Sequence, residues 1–173
     1  SADSWLETMK AAPSGLDIIA IDRPGFGETR PGRAVTSLKA QAAVLEPLLV
    51  TRNGKKTILV GHSLGGPIVA TAAVLFKDRI EGVVIAAGAL NPALEKIHPM
   101  QYVGAAVPIR WLLPRHIKNA NKELMALKPE LEALEKQLGE IQVPVEIVHG
   151  TKDDLVPYEN VPYMEAHFTG AAT

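Results

Sequence analysis

Thr57-Ile58-Leu59-Val60-Gly61-His62-Ser63-Leu64-Gly65-Gly66-Pro67-Ile68-Val69-Ala70 is the stretch on which the reading of this chain turns. An apolar, β-branched run is followed by Gly-x-Ser-x-Gly and then by small and apolar residues in a helical pattern. Strand, tight turn and helix in that order are the context a nucleophilic serine requires. Serine is a weak nucleophile unless its hydroxyl is presented to a base and the resulting oxyanion meets backbone donors. A sharp turn after a strand lifts Ser63 to the carboxyl edge of the sheet, with Gly61 and Gly65 lacking the Cβ atoms that would collide there. The helix aims the Leu64 N–H, with the positive end of its dipole, at the place where negative charge develops. His62 is a structural residue at the pocket wall on this reading, since neighbours on such a turn point apart.

Two further motifs follow apolar runs. Asp22-Arg23-Pro24-Gly25-Phe26-Gly27 comes directly after Leu16-Asp17-Ile18-Ile19-Ala20-Ile21. His149-Gly150-Thr151-Lys152-Asp153-Asp154-Leu155-Val156-Pro157 comes directly after Val143-Pro144-Val145-Glu146-Ile147-Val148. If the three runs are parallel strands, all three loops share the carboxyl edge, where ligands bind in open α/β sheets.

In order and spacing the three motifs resemble those of the α/β-hydrolase family, over nearly the whole chain. The resemblance implies an incomplete α/β-hydrolase fold: a parallel sheet flanked by helices, one domain over 1–173, with a small helical cap inserted at 89–140. Residue by residue, Ser63 matches the nucleophile, Asp153 the triad acid and Leu64 the backbone oxyanion donor. Asp154 ranks second as acid, because the usual spacing from Gly150 falls on Asp153. The implied activity is esterase- or lipase-like, cleaving a small acyl or ester substrate through an acyl-enzyme on Ser63, with no cofactor. A serine nucleophile argues against the dehalogenase and epoxide-hydrolase branches, which use aspartate there.

The family's triad runs serine, acid, histidine, with the histidine after one more strand. Here only His167 follows Asp153, inside the helical pattern of 158–168. It reads as a packing or surface residue, and His62, His98, His116 and His149 do not have the position in the order either. A non-catalytic member using the pocket for binding is therefore the alternative. The resemblance further implies an internal piece of a protein about a hundred residues longer, on typical domain sizes. A central strand would precede residue 1, between the runs 16–21 and 57–61, so those two runs are not expected to pair directly. Ser4-x-x-Glu7 reads as a capping box for the first helix.

Composition narrows the rest. The 173 residues are 47% hydrophobic, ample for one core and short for two typical domains. A net charge of −1 and a pI near 6.5 argue against nucleic-acid binding, which needs a basic face. With no cysteine, disulfides, zinc–thiolate sites and thiol catalysis are excluded. Neither a metal-ligand constellation nor an apolar membrane-spanning run appears. Nucleotide binding is weakly supported: the 25–30 loop lacks a third glycine, and Asn53-Gly54-Lys55-Lys56-Thr57 lacks the earlier phosphate-loop glycine.

Helices are expected at about 3–12, 36–53 (stopping at Gly54) and 64–77, and strands at 16–21, 57–61, 82–87 and 143–148. Continuous apolar strands between helices imply a parallel sheet covered on both faces. Within the insertion, the apolar segment 102–113, with Trp111 and Leu112, suits either the roof of a pocket or core packing. Leu124, Leu127, Leu131, Leu134 and Leu138, three and four apart, read as an amphipathic helix docking on the domain rather than a coiled coil.

Overall fold

In the computed structural model, residues 2–96 and 113–168 are described. Three strands form one parallel sheet in the order β1 (Thr57–His62), β2 (Ile80–Ala86), β3 (Val145–Val148). The ladder pairs Val60 with Val84 and His62 with Ala86, then Val84 with Glu146 and Ala86 with Val148. All three strands therefore end together, which places the loops after β1, β2 and β3 along one edge. The chain divides into two compact units. One comprises 1–35 and 98–125, the other 36–97 and 126–173, and the sheet lies in the second.

The helices of the sheet-bearing unit are α2 (Leu38–Ala43), α3 (Gly65–Leu75), the second half of α4 (Arg115–Glu135) and α5 (Asn160–His167). Residues 66–73 of α3 are all buried, as in a helix apolar on every side. Leu59, Val83, Ile85 and Val145 from the sheet join Ile68, Val69, Leu127, Leu131, Leu134, Leu138, Met164 and Phe168 in one core. Each such side chain contributes about 1.5–3 kcal/mol when fully buried. The leucine stripe thus packs as an amphipathic helix does, with Leu124 alone left exposed, and α4 continues through Pro129. Glu130 accepts a hydrogen bond from the Leu38 N–H at the start of α2, where a helix favours negative charge.

Several sequence expectations are corrected. The run 16–21 is not a strand: it lies in the other unit, without a ladder partner among the described residues, and Leu16, Ile18 and Ile19 are exposed. An apolar run becomes a strand only when a ladder partner satisfies its backbone, and no described segment supplies one. Nor do the described residues cover the sheet on both faces. Alternation buries Leu59 and Gly61 but leaves Ile58, Val60 and Val148 exposed on the opposite side.

The helix expected over 36–53 stops at Ala43. Pro47 has no N–H to donate, and its ring clashes with the carbonyl four residues back. Gly54 does not end a helix but turns a hairpin: Asn53 (φ 51°) and Gly54 (φ 76°) lie between the bridged Arg52 and Lys55. Asn-Gly is the favoured pair for such a turn. At the chain start, a 3-10 turn (Ala2–Trp5) leads into the short α1 (Leu6–Lys10), and the Ser4/Glu7 capping box does not form. The residue before α1, Trp5, is already in a helical conformation, whereas a cap needs an extended one.

Candidate active site

The turn between β1 and α3 is held by backbone contacts. Ser63 has φ 53°, in the left-handed region that costs a residue with a side chain about 1–2 kcal/mol. Its N–H donates to the Ala86 carbonyl (3.0 Å), and its carbonyl accepts from the Gly66 N–H (2.9 Å). A Cβ on Gly61 would stand 2.3 Å from the Gly65 carbonyl oxygen, so only glycine fits there. Gly65 is different from the sequence reading: a Cβ there meets nothing within 4 Å. Gly66 is the second tight position, with a Cβ 3.0 Å from the Gly88 Cα. Strain of this kind persists where the surroundings over-determine the backbone. Among the described residues, neither the Ser63 hydroxyl nor the Leu64 N–H has a hydrogen-bond partner. Leu64 is the residue from which α3 starts.

The loop after β3 is organised around Asp153. Its Oδ1 accepts from the N–H groups of Leu155 and Val156, both at 2.9 Å, and its own N–H donates to the Gly150 carbonyl (3.2 Å). The Val156 N–H first, then the Leu155 N–H, hold the Asp153 carboxyl below the ordinary carboxylate range, and the nearby His149 and His62 lower it further. Hydrogen bonds to the ionised form favour that form. Oδ2 keeps no partner among the described residues. Asp154 is exposed.

His149 braces this loop. Its Nε2 lies 2.9 Å from the Val156 carbonyl and must donate to it, while Nδ1 is buried without a partner among the described residues. The ring is thereby tied through Nε2 to the backbone of the loop it supports. His167, in the last turn of α5, contacts the Tyr163 carbonyl through Nδ1 (2.7 Å) and Glu135 through Nε2 (3.5 Å). Its ring lies against that of Tyr163, with centroids 4.1 Å apart. His62 is exposed at the end of β1, and His116 is exposed on α4. His98, Trp111 and Leu112 lie outside the described residues.

The structure therefore gathers Ser63, Leu64, His62 and Asp153 at the carboxyl edge of one sheet. It also adds Asn160, which the sequence reading missed. Asn160 is 1% exposed, and its Oδ1 accepts from both the Leu90 and Asn91 N–H groups at 2.9 Å. A signal was present: Asn160, Met164 and Phe168 are spaced four apart, which sets a polar residue on the buried face of α5.

The motif at 22–27 is ordered within the other unit. Gly25 (φ 89°) has no room for a Cβ, which would meet the Arg33 carbonyl oxygen at 2.6 Å. The first half of α4 grips this loop. Glu123, buried, pairs with Arg23 at 2.7 Å, the Arg23 guanidinium lies 4.6 Å from the Phe26 ring centre, and Asn119 donates to the Gly25 carbonyl (2.7 Å). Among the described residues, no group of three or more His, Cys, Asp or Glu could hold a metal ion. No helix of the described residues is long and apolar enough to cross a membrane.

Residues 1–112 match the sequence pattern of the family described as alpha/beta hydrolase fold. A curated relative, the uncharacterized hydrolase YugF of Bacillus subtilis, is 29% identical over 119 residues, covering 65% of this chain and 43% of the relative. The chain thus spans less than half the length of that protein. Among solved structures, MGS-M2, an alpha/beta hydrolase enzyme from a deep-sea metagenome library of the Medee basin, superposes with a TM-score of 0.72 at 18% identity. That match covers 99% of this chain and 75% of MGS-M2. The monoacylglycerol lipase of Paleococcus ferrophilus superposes with a TM-score of 0.61 at 23% identity, covering 86% of this chain and 67% of the lipase.

Proposed function

Because the chain belongs to the α/β-hydrolase family, we propose that it carries the nucleophile, acid and one oxyanion donor of a serine hydrolase acting on a small carboxylic ester. The observation that carries this reading is Ser63 itself, held at φ 53° between β1 and α3 with its hydroxyl unpartnered among the described residues. Ser63 Oγ attacks the ester carbonyl carbon while a histidine base takes its proton. The tetrahedral oxyanion is met by the Leu64 N–H and by the dipole of α3. Collapse breaks the ester C–O bond, and the histidinium returns its proton to the departing alcohol. Water, activated by the same histidine, then attacks the acyl-enzyme and releases the carboxylic acid.

Asp153 orients the histidine and stabilises its charged form. Its depressed carboxyl and free Oδ2 suit that role, because an anionic acceptor fixes the ring's N–H. β1 and β3 are separated by two inter-strand spacings, about 10 Å. An imidazole bridging two hydrogen bonds spans about 7–8 Å, so a ring fits between the Ser63 and Asp153 loops. His149 and His167 are engaged elsewhere, so neither is the proposed base. The test is hydrolysis of short p-nitrophenyl esters by the full-length protein. Turnover by the wild type and its loss in Ser63→Ala is expected, and equal turnover by both would overturn the reading.

A further inference from the structure

We infer that Asn160 is a positioning residue that holds the serine and acid loops in register. The inference rests on the hydrolase reading above and goes beyond it, because Asn160 belongs to neither the triad nor the oxyanion hole.

Asn160 is the first residue of α5 and is buried. Two backbone donors, Leu90 N–H and Asn91 N–H, converge on its Oδ1 at 2.9 Å each. Only the oxygen end of the amide can satisfy two donors, so the side chain's orientation follows from its neighbours. That sets Nδ2 to donate to the Pro157 carbonyl at 3.0 Å. One side chain thus spans the loop after β2 and the loop that carries Asp153.

Each of those loops is tied in turn to a reacting group. The loop after β2 starts at Ala87, in the left-handed region at φ 45°, whose N–H donates to the Val148 carbonyl at the end of β3 (2.8 Å). Two residues on, the Ala89 N–H points to the Ser63 carbonyl at 3.4 Å. Gly88 is packed so closely that a Cβ would lie 2.3 Å from the Ile85 methyl, which leaves the loop little freedom. On the other side, Pro157 follows Val156, whose N–H is bound by Asp153 Oδ1 and whose carbonyl is bound by His149. A continuous path therefore runs from Ser63 through Ala89, Leu90 and Asn160 to Pro157 and Asp153. The acid must meet the base within hydrogen-bond reach, and a displacement of about 1 Å from a remote change costs up to about a hundredfold in rate.

Asn160→Ala removes both side-chain arms and leaves only the residue's own backbone N–H on the Pro157 carbonyl (3.0 Å). Asn160→Asp keeps an acceptor for Leu90 and Asn91 but sets a carboxylate oxygen against the Pro157 carbonyl, so only the acid-side arm is broken. In the full-length protein, fluorophosphonate titration counts competent Ser63, and steady-state kinetics give kcat per titrated site and KM. A positioning role lowers kcat per site by up to about a hundredfold in Asn160→Ala, and less in Asn160→Asp, with KM within about threefold. A purely structural role would lower the yield of folded protein and the Tm but leave kcat per site unchanged, and that result overturns the inference. Should the alanine variant fail to fold, the aspartate variant decides by the same ratio. A wild type that is not labelled at Ser63 would sink the hydrolase reading and this inference together. Labelled wild type with unchanged kcat per site in the Asn160 variants sinks the inference alone.

Discussion

The runs 16–21 and 57–62 are alike in composition and different in fate. Both are apolar and rich in branched residues, both precede a glycine-bearing motif, yet the second is a strand and the first is an exposed, irregular segment. The difference lies in what receives the backbone. Thr57 to His62 find a parallel ladder in β2 and a buried helix, α3, on one face. Leu16 to Ile21 find no ladder among the described residues. Burial of apolar surface favours any compact form, but hydrogen-bonded pairing is what selects a strand.

The largest effect expected on the β1 side of this comparison concerns chemistry anchored to the sheet. Asp153→Asn should lower kcat of the full-length protein by up to about ten-thousandfold, while Asp154→Asn stays within a few-fold. A damaging Asp154→Asn with a silent Asp153→Asn would show the loop register to be wrong. Next come side chains. Ile85, 0% exposed on β2, should cost about 2–5 kcal/mol in chemical denaturation when changed to alanine. Ile19, 60% exposed, should cost less than about 0.5 kcal/mol. Equal losses would mean that the run 16–21 is packed in solution as a strand is.

Smaller backbone effects separate the glycines. Gly61→Ala drives a Cβ into the Gly65 carbonyl and should cost about 3 kcal/mol, whereas Gly65→Ala should be close to neutral. A tolerated Gly61→Ala, measured by thermal melting, would show the turn to be looser than its contacts indicate. The smallest effect is in pH. The Val156 and Leu155 N–H groups depress the Asp153 carboxyl. Its stabilisation is therefore present above the unfolded value, about 3.9, and is lost as pH falls through the folded value. The Tm difference between wild type and Asp153→Asn should hold constant from about pH 8 to about pH 5 and shrink only below about pH 4. A difference that fades already near neutrality would contradict those hydrogen bonds.

What could be read from the sequence follows the same division. Gly-x-Ser-x-Gly between a branched run and small residues is local chemistry, and β1, the turn and α3 formed within two residues of where periodicity put them. The turn at 150–157 is local in the same way: Asp153 Oδ1 accepts from donors two and three residues ahead. The fate of the run 16–21 was not legible, because it depends on a partner that no local pattern specifies. Asn53-Gly54 was misread because a hairpin turn and a helix terminator both use glycine at positive φ. Asn160 escaped because its partners, Leu90 and Asn91, lie seventy residues away in sequence.

The central claim is that Ser63, lifted by this turn, is the group that forms the covalent intermediate. Mass spectrometry of the full-length protein after fluorophosphonate treatment tests it most directly. One adduct is expected, mapped to the peptide containing Ser63 and absent from Ser63→Ala. An adduct on any other residue, or full labelling of the alanine variant, would contradict it.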